Sequence, residues 1–376
     1  MKIAIITSRY PSLDNPYNHM FVHMRSKEFV KQGKNVDVFV PNREKHEYIF
    51  EGISVRKISS NQIVKVLRDY DILYLHLLHI YPLTQKDGWI IYKAIIENNL
   101  PCVMYVHGSE VQKYSSRPFD IDNSFLGVLK RIKKDFLLVY FMKKFVKSHL
   151  MNKSLFFLFP SLWMKKEMEK NLSVKISNFE IIPNGIETNL FKFSNLFYNR
   201  YKLVSLRPLS SMKYAVDIAI ETLRLLPQKY TLHIFGKGKY EKDFKALINK
   251  YSLDDRVTIY NTFINKHEMP DHFSKYGVSL STSRMDAQGV SMCEAMSSGL
   301  LTVSNNNTAI PEFISDMESG ILGNSPAELA QKILSVTSDK KLFEKITKKG
   351  RERMQEIDIK VTCMHELKIL KDIAEE

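Results

Sequence analysis

The sequence predicts two doubly wound α/β domains of similar size. Three observations lead there. The chain has 376 residues, too many for one ordinary domain and enough for two. Short β-rich runs alternate with stretches of helical period, which is the βαβ pattern of a largely parallel sheet covered on both faces. The pattern then restarts near residue 202.

The first half opens with the strand "KIAIIT" (2–7) and a polar loop containing Pro11 and Pro16. A helix is predicted near Phe21–Gln32, stopped by Gly33, and then the strand "NVDVFV" (35–40). Further strands are predicted at 71–77, 101–108, 154–160 and 179–185, with helical stretches between most of them. The second half begins with "KLVSLRP" at 202, followed by a helix over 214–226. Strands at 230–235, 256–261, 277–283 and 300–305 alternate with helices near 240–251, near 268–275 and from Gly289. The stretches 326–336 and 340–374 read as helical. The expected division is residues 1–190, a first Rossmann-like domain, and 202–355, a second. Residues 356–376 form a last helix that crosses back to the first domain or stays with the second. Two such domains would face each other across a cleft. Ligands bind beyond the carboxyl ends of parallel strands, so the loops after 202–206 and 277–283 matter most.

A hydrophobic content of 44% and a charged content of 26% describe a folded globular chain. Three widely spaced cysteines, Cys102, Cys293 and Cys363, form neither a disulfide framework nor a zinc motif, which points to a reducing cytoplasm. The N-terminus reads as a strand and not as a signal peptide. No segment is apolar and long enough to predict a transmembrane helix. The net charge of +14 calls for an anionic partner. No recognisable nucleic-acid module is present, so nucleic acid is not expected.

The most informative segment is "SRMDAQGVSMCEAMSSGL" (283–300). Glu294 sits there among Val290, Met292, Cys293, Ala295 and Met296. A carboxylate in apolar surroundings is costly unless paired or hydrogen-bonded. Its two oxygens suit two neighbouring hydroxyls, such as those of a ribose, or else a nearby lysine. Asp286 lies near the start of the helix, where an acid also favours the dipole. Arg207 ends a strand and Lys213 follows six residues later. Two cations there suit a diphosphate and the charge that grows as it leaves, or form a solvated basic loop. "FGKGK" (235–239) offers backbone N–H groups through Gly236 and Gly238, or simply a tight turn.

With its Pro311-Glu312 pair, the segment 283–312 resembles the nucleotide-binding part of glycosyltransferase family 4. That family has the two-domain GT-B fold, which implies an acceptor-binding domain over 1–190 and a nucleotide-sugar-binding one over 202–355. Asp286, Gly289, Glu294, Ala295, Met296 and Gly299 fall in its register. The resemblance implies that Glu294 grips the ribose of a sugar nucleotide and that Asp286 lies near the donor sugar. It implies diphosphate contacts for Arg207 and Lys213, and places Gly236, Gly238, Gly289 and Val290 beside the nucleotide. His107, in "VHGSE" (106–110), would face the donor sugar. The catalytic set is thus His107, Asp286, Arg207 and Lys213. The Pro-Asn-Gly segment at 183–185 also matches, as a turn. There are departures. The family's first acid is usually Glu. Ala287 and Gln288 replace Gly and an aromatic, Thr308-Ala309 replace a Gly pair, and Tyr214 replaces a Gly. The first loop offers Asn18 and His19 where the family is Gly-rich.

The implied activity is a retaining transfer of sugar from a UDP- or GDP-sugar to a glycan or lipid-linked glycan, in bacterial surface polysaccharide synthesis. No metal or other cofactor is expected. Two alternatives stand beside it: a GT-B enzyme that hydrolyses or epimerises a sugar nucleotide, and a non-catalytic binder of anionic surfaces. The stretch 125–153 carries eight Lys or Arg against one Asp, with apolar residues interleaved at near-helical spacing. It reads as a helix on an anionic membrane surface or as a core helix with a basic outer face. The first reading places the protein in the cytoplasm, at the inner face of the membrane.

Overall fold

The computed structural model describes all residues except 16, 17, 121, 123, 151–153 and 376. Pro16 and the last three residues of the basic stretch therefore lie outside the described residues. The chain divides into two compact units. One comprises Met1–Asn184 together with Ile359–Glu376, and the other Gly185–Asp358.

In the first unit β1 (Lys2–Thr7), α1 (Met20–Lys31) and β2 (Asn35–Pro41) are followed by β3 (His46–Phe50) and β4 (Ile53–Ile58). Then come α2 (Ser60–Val66), β5 (Ile72–His76), α3 (Gly88–Asn98) and β6 (Cys102–Tyr105). The helices α4 (Phe125–Ile132) and α5 (Val139–Lys147) are joined by a π-helical segment, Lys133–Leu138. β7 (Leu155–Phe159), α6 (Leu162–Leu172) and β8 (Phe179–Ile181) complete the sheet. Its eight strands run in the order β3-β4-β2-β1-β5-β6-β7-β8. All neighbours are parallel except the edge pair β3 and β4. β5 is buried along its whole length, as expected of a strand covered on both faces.

The second unit begins with irregular chain and then β9 (Lys202–Leu206), α7 (Val216–Arg224), β10 (Thr231–Phe235) and α8 (Glu241–Lys250). It continues with β11 (Val257–Tyr260), α9 (Met269–Phe273), β12 (Val278–Leu280), α10 (Val290–Ser298) and β13 (Leu301–Asn305). β14 (Ile321–Gly323), α11 (Pro326–Ser338) and α12 (Lys340–Glu356) finish it. The six strands, in the order β11-β10-β9-β12-β13-β14, are parallel throughout. The chain winds outward from β9 through β10 to β11, then returns to β12 on the other side. The crevice between β9 and β12 is therefore the switch point where such folds bind ligands. Leu203, Leu232, Leu280 and Val303 form its core with Ile220 of α7 and Ile333 of α11.

Residues 188–201, which lie across the expected boundary between the two domains, belong to the second unit. Phe191 and Leu196 are buried, the amide of Ser194 donates to Ser298 O (3.1 Å), and Arg351 donates to Phe191 O (2.7 Å). The predicted continuous helix over 340–374 breaks at Ile357-Asp358. There Ile186 N donates to Ile357 O (2.9 Å) and Thr188 Oγ1 to Asp358 Oδ2 (2.5 Å). α13 (Ile359–Glu375) then packs in the core of the first unit. Its Glu366 accepts from Arg25 Nε (2.9 Å) and from Tyr74 Oη (2.8 Å). The same guanidinium donates from Nη1 to Asn184 Oδ1 (3.0 Å). Among the described residues, no helix is long and apolar enough to cross a membrane. The three cysteines are buried and free.

Candidate functional site

The strand β9 delivers Arg207 to the switch point. Arg207 is 4% exposed. Its amide donates to Phe235 O (3.2 Å) and its Nη2 to Ser281 O (2.7 Å). Nη1 lies 3.7 Å from Asp286 Oδ2, and Nε has no partner among the described residues. Burial lowers the pKa of this guanidinium and Asp286 works against that fall. It remains a cation at any physiological pH.

Asp286 is held by its own loop. Its Oδ1 accepts from Gly289 N (2.9 Å) and Gln288 N (3.3 Å), and its amide donates to Thr308 Oγ1 (3.2 Å). The acid lies three residues ahead of Gly289, which caps α10 at φ +78°. That left-handed conformation suits glycine. α10 then starts at Val290, so its first amides have no partner within the helix and favour negative charge before them.

β12 is shorter than the predicted 277–283 because its last residues hold the loops. Thr282 Oγ1 donates to Ala215 O (2.8 Å), and Ser283 N to Asn305 Oδ1 (3.0 Å). Arg284 forks onto Asp217 (2.9 and 2.5 Å) and also donates to Met212 O (2.7 Å). The loop of Lys213 is thus fastened to the loop of Asp286, and Arg284 N donates to Lys213 O (2.7 Å). Among the described residues, no carboxylate lies within ion-pair distance of the Lys213 ammonium.

Gly236 and Gly238 have a packing reason to be glycine. A Cβ on Gly236 would stand 2.0 Å from Arg207 O, and one on Gly238 would stand 2.0 Å from the carbonyl carbon of Leu209. The loop after β10 therefore lies against the loop after β9, with Leu209 N donating to Lys237 O (3.0 Å).

Glu294 is 7% exposed and on the buried side of α10. Among the described residues, no group donates a hydrogen bond to its carboxylate. Lys266 Nζ is 4.0 Å away but sits 2.6 Å from Glu187 Oε2. Burial pushes the Glu294 pKa up to about 7; Lys266 lowers it and Glu187 raises it. Neither Glu187 nor Lys266 was picked out in the sequence. Both lie in loops of ordinary composition, where spacing carries no signal.

The first unit gathers a second polar group at the ends of β1, β5 and β6. His107 Nε2 and the buried His76 Nδ1 are 3.0 Å apart. Burial holds both imidazoles well below their usual pKa, so both are neutral at pH 7. His107 N donates to Glu110 Oε1 (2.7 Å), whose other oxygen has no partner among the described residues. Burial raises the Glu110 pKa to about 7. His79 Nε2 meets Ser109 Oγ at 3.1 Å, and His19 Nδ1 meets Thr7 Oγ1 at 3.1 Å. Burial lowers the pKa of His19 and of His79 to about 4. Of these, only His107 and His19 stood out in the sequence. His76 and His79 read there as ordinary residues at the end of an apolar strand.

The second unit thus collects Arg207, Lys213, Gly236, Gly238, Asp286, Gly289 and Val290 on neighbouring loops at one switch point. Glu294 follows within α10. His107 belongs to the other unit. Among the described residues, no group of three or more His, Cys, Asp or Glu side chains is arranged to hold a metal ion.

Residues 187–353 match the family model described as glycosyl transferases group 1. The sequence is 28% identical over 166 residues to WcaL of Escherichia coli K12, a protein named for colanic acid biosynthesis, covering 41% of this chain and 40% of that one. It is 27% identical over 185 residues to the alpha-monoglucosyldiacylglycerol synthase of Streptococcus pneumoniae R6, covering 45% and 42%. The matched segments span about two fifths of the length of these curated relatives. The structure resembles the crystal structure of HepE from Anabaena in complex with UDP. The TM-score is 0.75 at 16% identity, over 99% of this chain and 100% of that one. The likeness gives the fold as GT-B.

Proposed function

We propose that this chain, whose residues 187–353 match the family model of glycosyl transferases group 1, moves a sugar from a nucleotide diphosphate sugar to a glycan acceptor with retention of anomeric configuration. One observation carries the reading. A buried carboxylate, Glu294, accepts no hydrogen bond from the described residues, while the loop before its helix holds Asp286 beside the cation Arg207. A ribose offers the two hydroxyls that such a carboxylate lacks.

In this reading Glu294 takes the ribose, and Arg207 with Lys213 takes the diphosphate. Asp286 takes the donor sugar. The bond from the anomeric carbon to the diphosphate oxygen breaks, giving an oxocarbenium-like centre. The acceptor hydroxyl attacks on the same face, and its proton passes to the departing phosphate oxygen. No protein nucleophile or metal is needed. The work of the chain is to stabilise the leaving diphosphate and to orient the acceptor.

HepE was crystallised with UDP, which favours uridine as the base. The name of the E. coli relative supports a place in surface polysaccharide synthesis. That of the S. pneumoniae relative supports a lipid-linked acceptor. Such an acceptor would place the protein in the cytoplasm, at the inner face of the membrane.

The test is product analysis with UDP- and GDP-sugars, with and without glycan acceptors, reading the anomeric configuration by NMR. Acceptor-dependent transfer with the donor's configuration retained is expected. Turnover that needs no acceptor, or that survives in both Arg207→Ala and Glu294→Ala, would overturn the reading.

A further inference from the structure

A helix on a globular unit normally turns its apolar side chains to the core and its charges to water. Residues 125–140 turn a row of apolar side chains to water as well. Phe125, Leu129, Ile132, Phe136, Leu137 and Tyr140 are exposed, Phe125 by 78% and Phe136 by 74%. Of the twenty-one large apolar side chains exposed among the described residues, eight lie between 125 and 150. That clustering separates them from the scattered exposed apolar residues of any surface. Part of the inward face is polar. Lys134 Nζ donates to Ser109 O (2.7 Å), and Asp135 accepts from the amides of Tyr114 and Ser115. Apolar anchoring begins only in α5, where Met142, Phe145 and Val146 are buried.

Basic side chains flank the apolar row. Lys130, Lys133, Lys144 and Lys147 are exposed. An apolar row spaced by three or four residues, bordered by lysines, matches the chemistry of an anionic lipid surface: acyl chains below, phosphates at the level of the ammonium groups. A second copy of this chain fits worse. A two-fold contact through this face would set lysines against lysines.

We propose that the outward face of residues 125–140, with the lysines beside it, lies in the headgroup layer of an anionic phospholipid membrane. The inference needs nothing from the transfer reaction. It does have a structural corollary. Lys134 and Asp135 hold the loop after β6, which also carries His107 and Ser109. The helix that meets lipid therefore holds that loop in place.

The experiment is co-sedimentation of the full chain with vesicles of phosphatidylcholine alone and of phosphatidylcholine mixed equally with phosphatidylglycerol. Donor and acceptor are both left out. Binding is expected only to the anionic vesicles, weakening as salt rises. Replacing Lys130, Lys133, Lys144 and Lys147 together by Gln should loosen it by about 100-fold or more. Phe125→Ser, Phe136→Ser and Tyr140→Ser in combination should weaken it independently, with both variants melting at the parental temperature. The proposal is overturned if the parent ignores anionic vesicles or if neither variant changes binding. It is also overturned if the apolar variant only turns an oligomer into a monomer. Because no sugar nucleotide is present, failure here leaves transfer to a soluble acceptor untouched.

Discussion

The guanidinium of Arg207 lies 3.7 Å from the carboxylate of Asp286, across 79 positions of sequence, and its Nε is left without a partner among the described residues. A buried cation shared between one acid and one carbonyl keeps donors in reserve. A diphosphate would take them up.

Arg207→Ala should therefore lower kcat by about 100-fold or more, the usual cost of removing one preorganised charge-stabilising group. Arg207→Lys should recover only part of it, since a lysine keeps the charge and loses the fork. Steady-state kinetics on both variants checks this. Equal activity of the Ala variant and the parent would remove Arg207 from the reaction.

The raised pKa of Glu294 gives a pH signature. Between its ordinary value of 4.5 and about 7, the folded chain keeps a proton that the unfolded chain has released. The ligand-free protein should thus lose stability as pH rises through that window. Glu110 acts in the same direction, so the contribution of Glu294 is the difference between the parent and Glu294→Gln. A ribose donates its hydroxyls to the ionised form. Nucleotide affinity should therefore increase as pH rises through about 7, with proton release on binding. Calorimetry in buffers of different ionisation enthalpy reads this directly, and Glu294→Gln should abolish it.

Gly236→Ala should impair the nucleotide site without unfolding the unit. The new Cβ would meet the backbone oxygen of Arg207 at 2.0 Å. The loop carrying Arg207 must then shift, and a small misplacement is enough to cost rate. A weaker UDP-induced rise in melting temperature, on top of a lowered melting temperature of the ligand-free protein, is the expected result.

The pair Arg25 and Glu366 makes a stability prediction. Both are fully or almost fully buried. Glu366→Ala leaves Arg25 charged in the core, at a cost of about 3–5 kcal/mol. Denaturant titration measures it. A loss well under 1 kcal/mol would mean that water reaches Arg25 in the variant.

The sequence made the parallel strands legible because both of their faces are covered. An unbroken apolar run as short as Ile72–Leu75 suits a strand buried on both sides better than an amphipathic helix. The β3 and β4 hairpin was not legible: an edge pair such as "HEYIF" and "ISVRKI" mixes charged with apolar residues and resembles a loop. The break at Ile357-Asp358 left no mark either, because helical period continues on both sides and the interruption is made by distant residues 186 and 188. In the candidate site, Glu294, Asp286, Arg207 and Lys213 stood out through residue type together with the family resemblance of the segments that carry them. Lys266, Glu187 and the Arg284–Asp217 fork could not, since each depends on which loops the fold places side by side. For residues 125–147 the pattern revealed an amphipathic helix, but which of its faces turns inward is a property of the fold.

Chain synthesis meets an obstacle in α13. Residues 1–184 emerge well before α13, yet α13 closes their core, and Arg25 waits for the carboxylate of Glu366. The middle of the chain has all its own strands and helices by residue 358. It is free to fold first, while the leading part stands open with apolar surface exposed to chaperones and to neighbouring nascent chains.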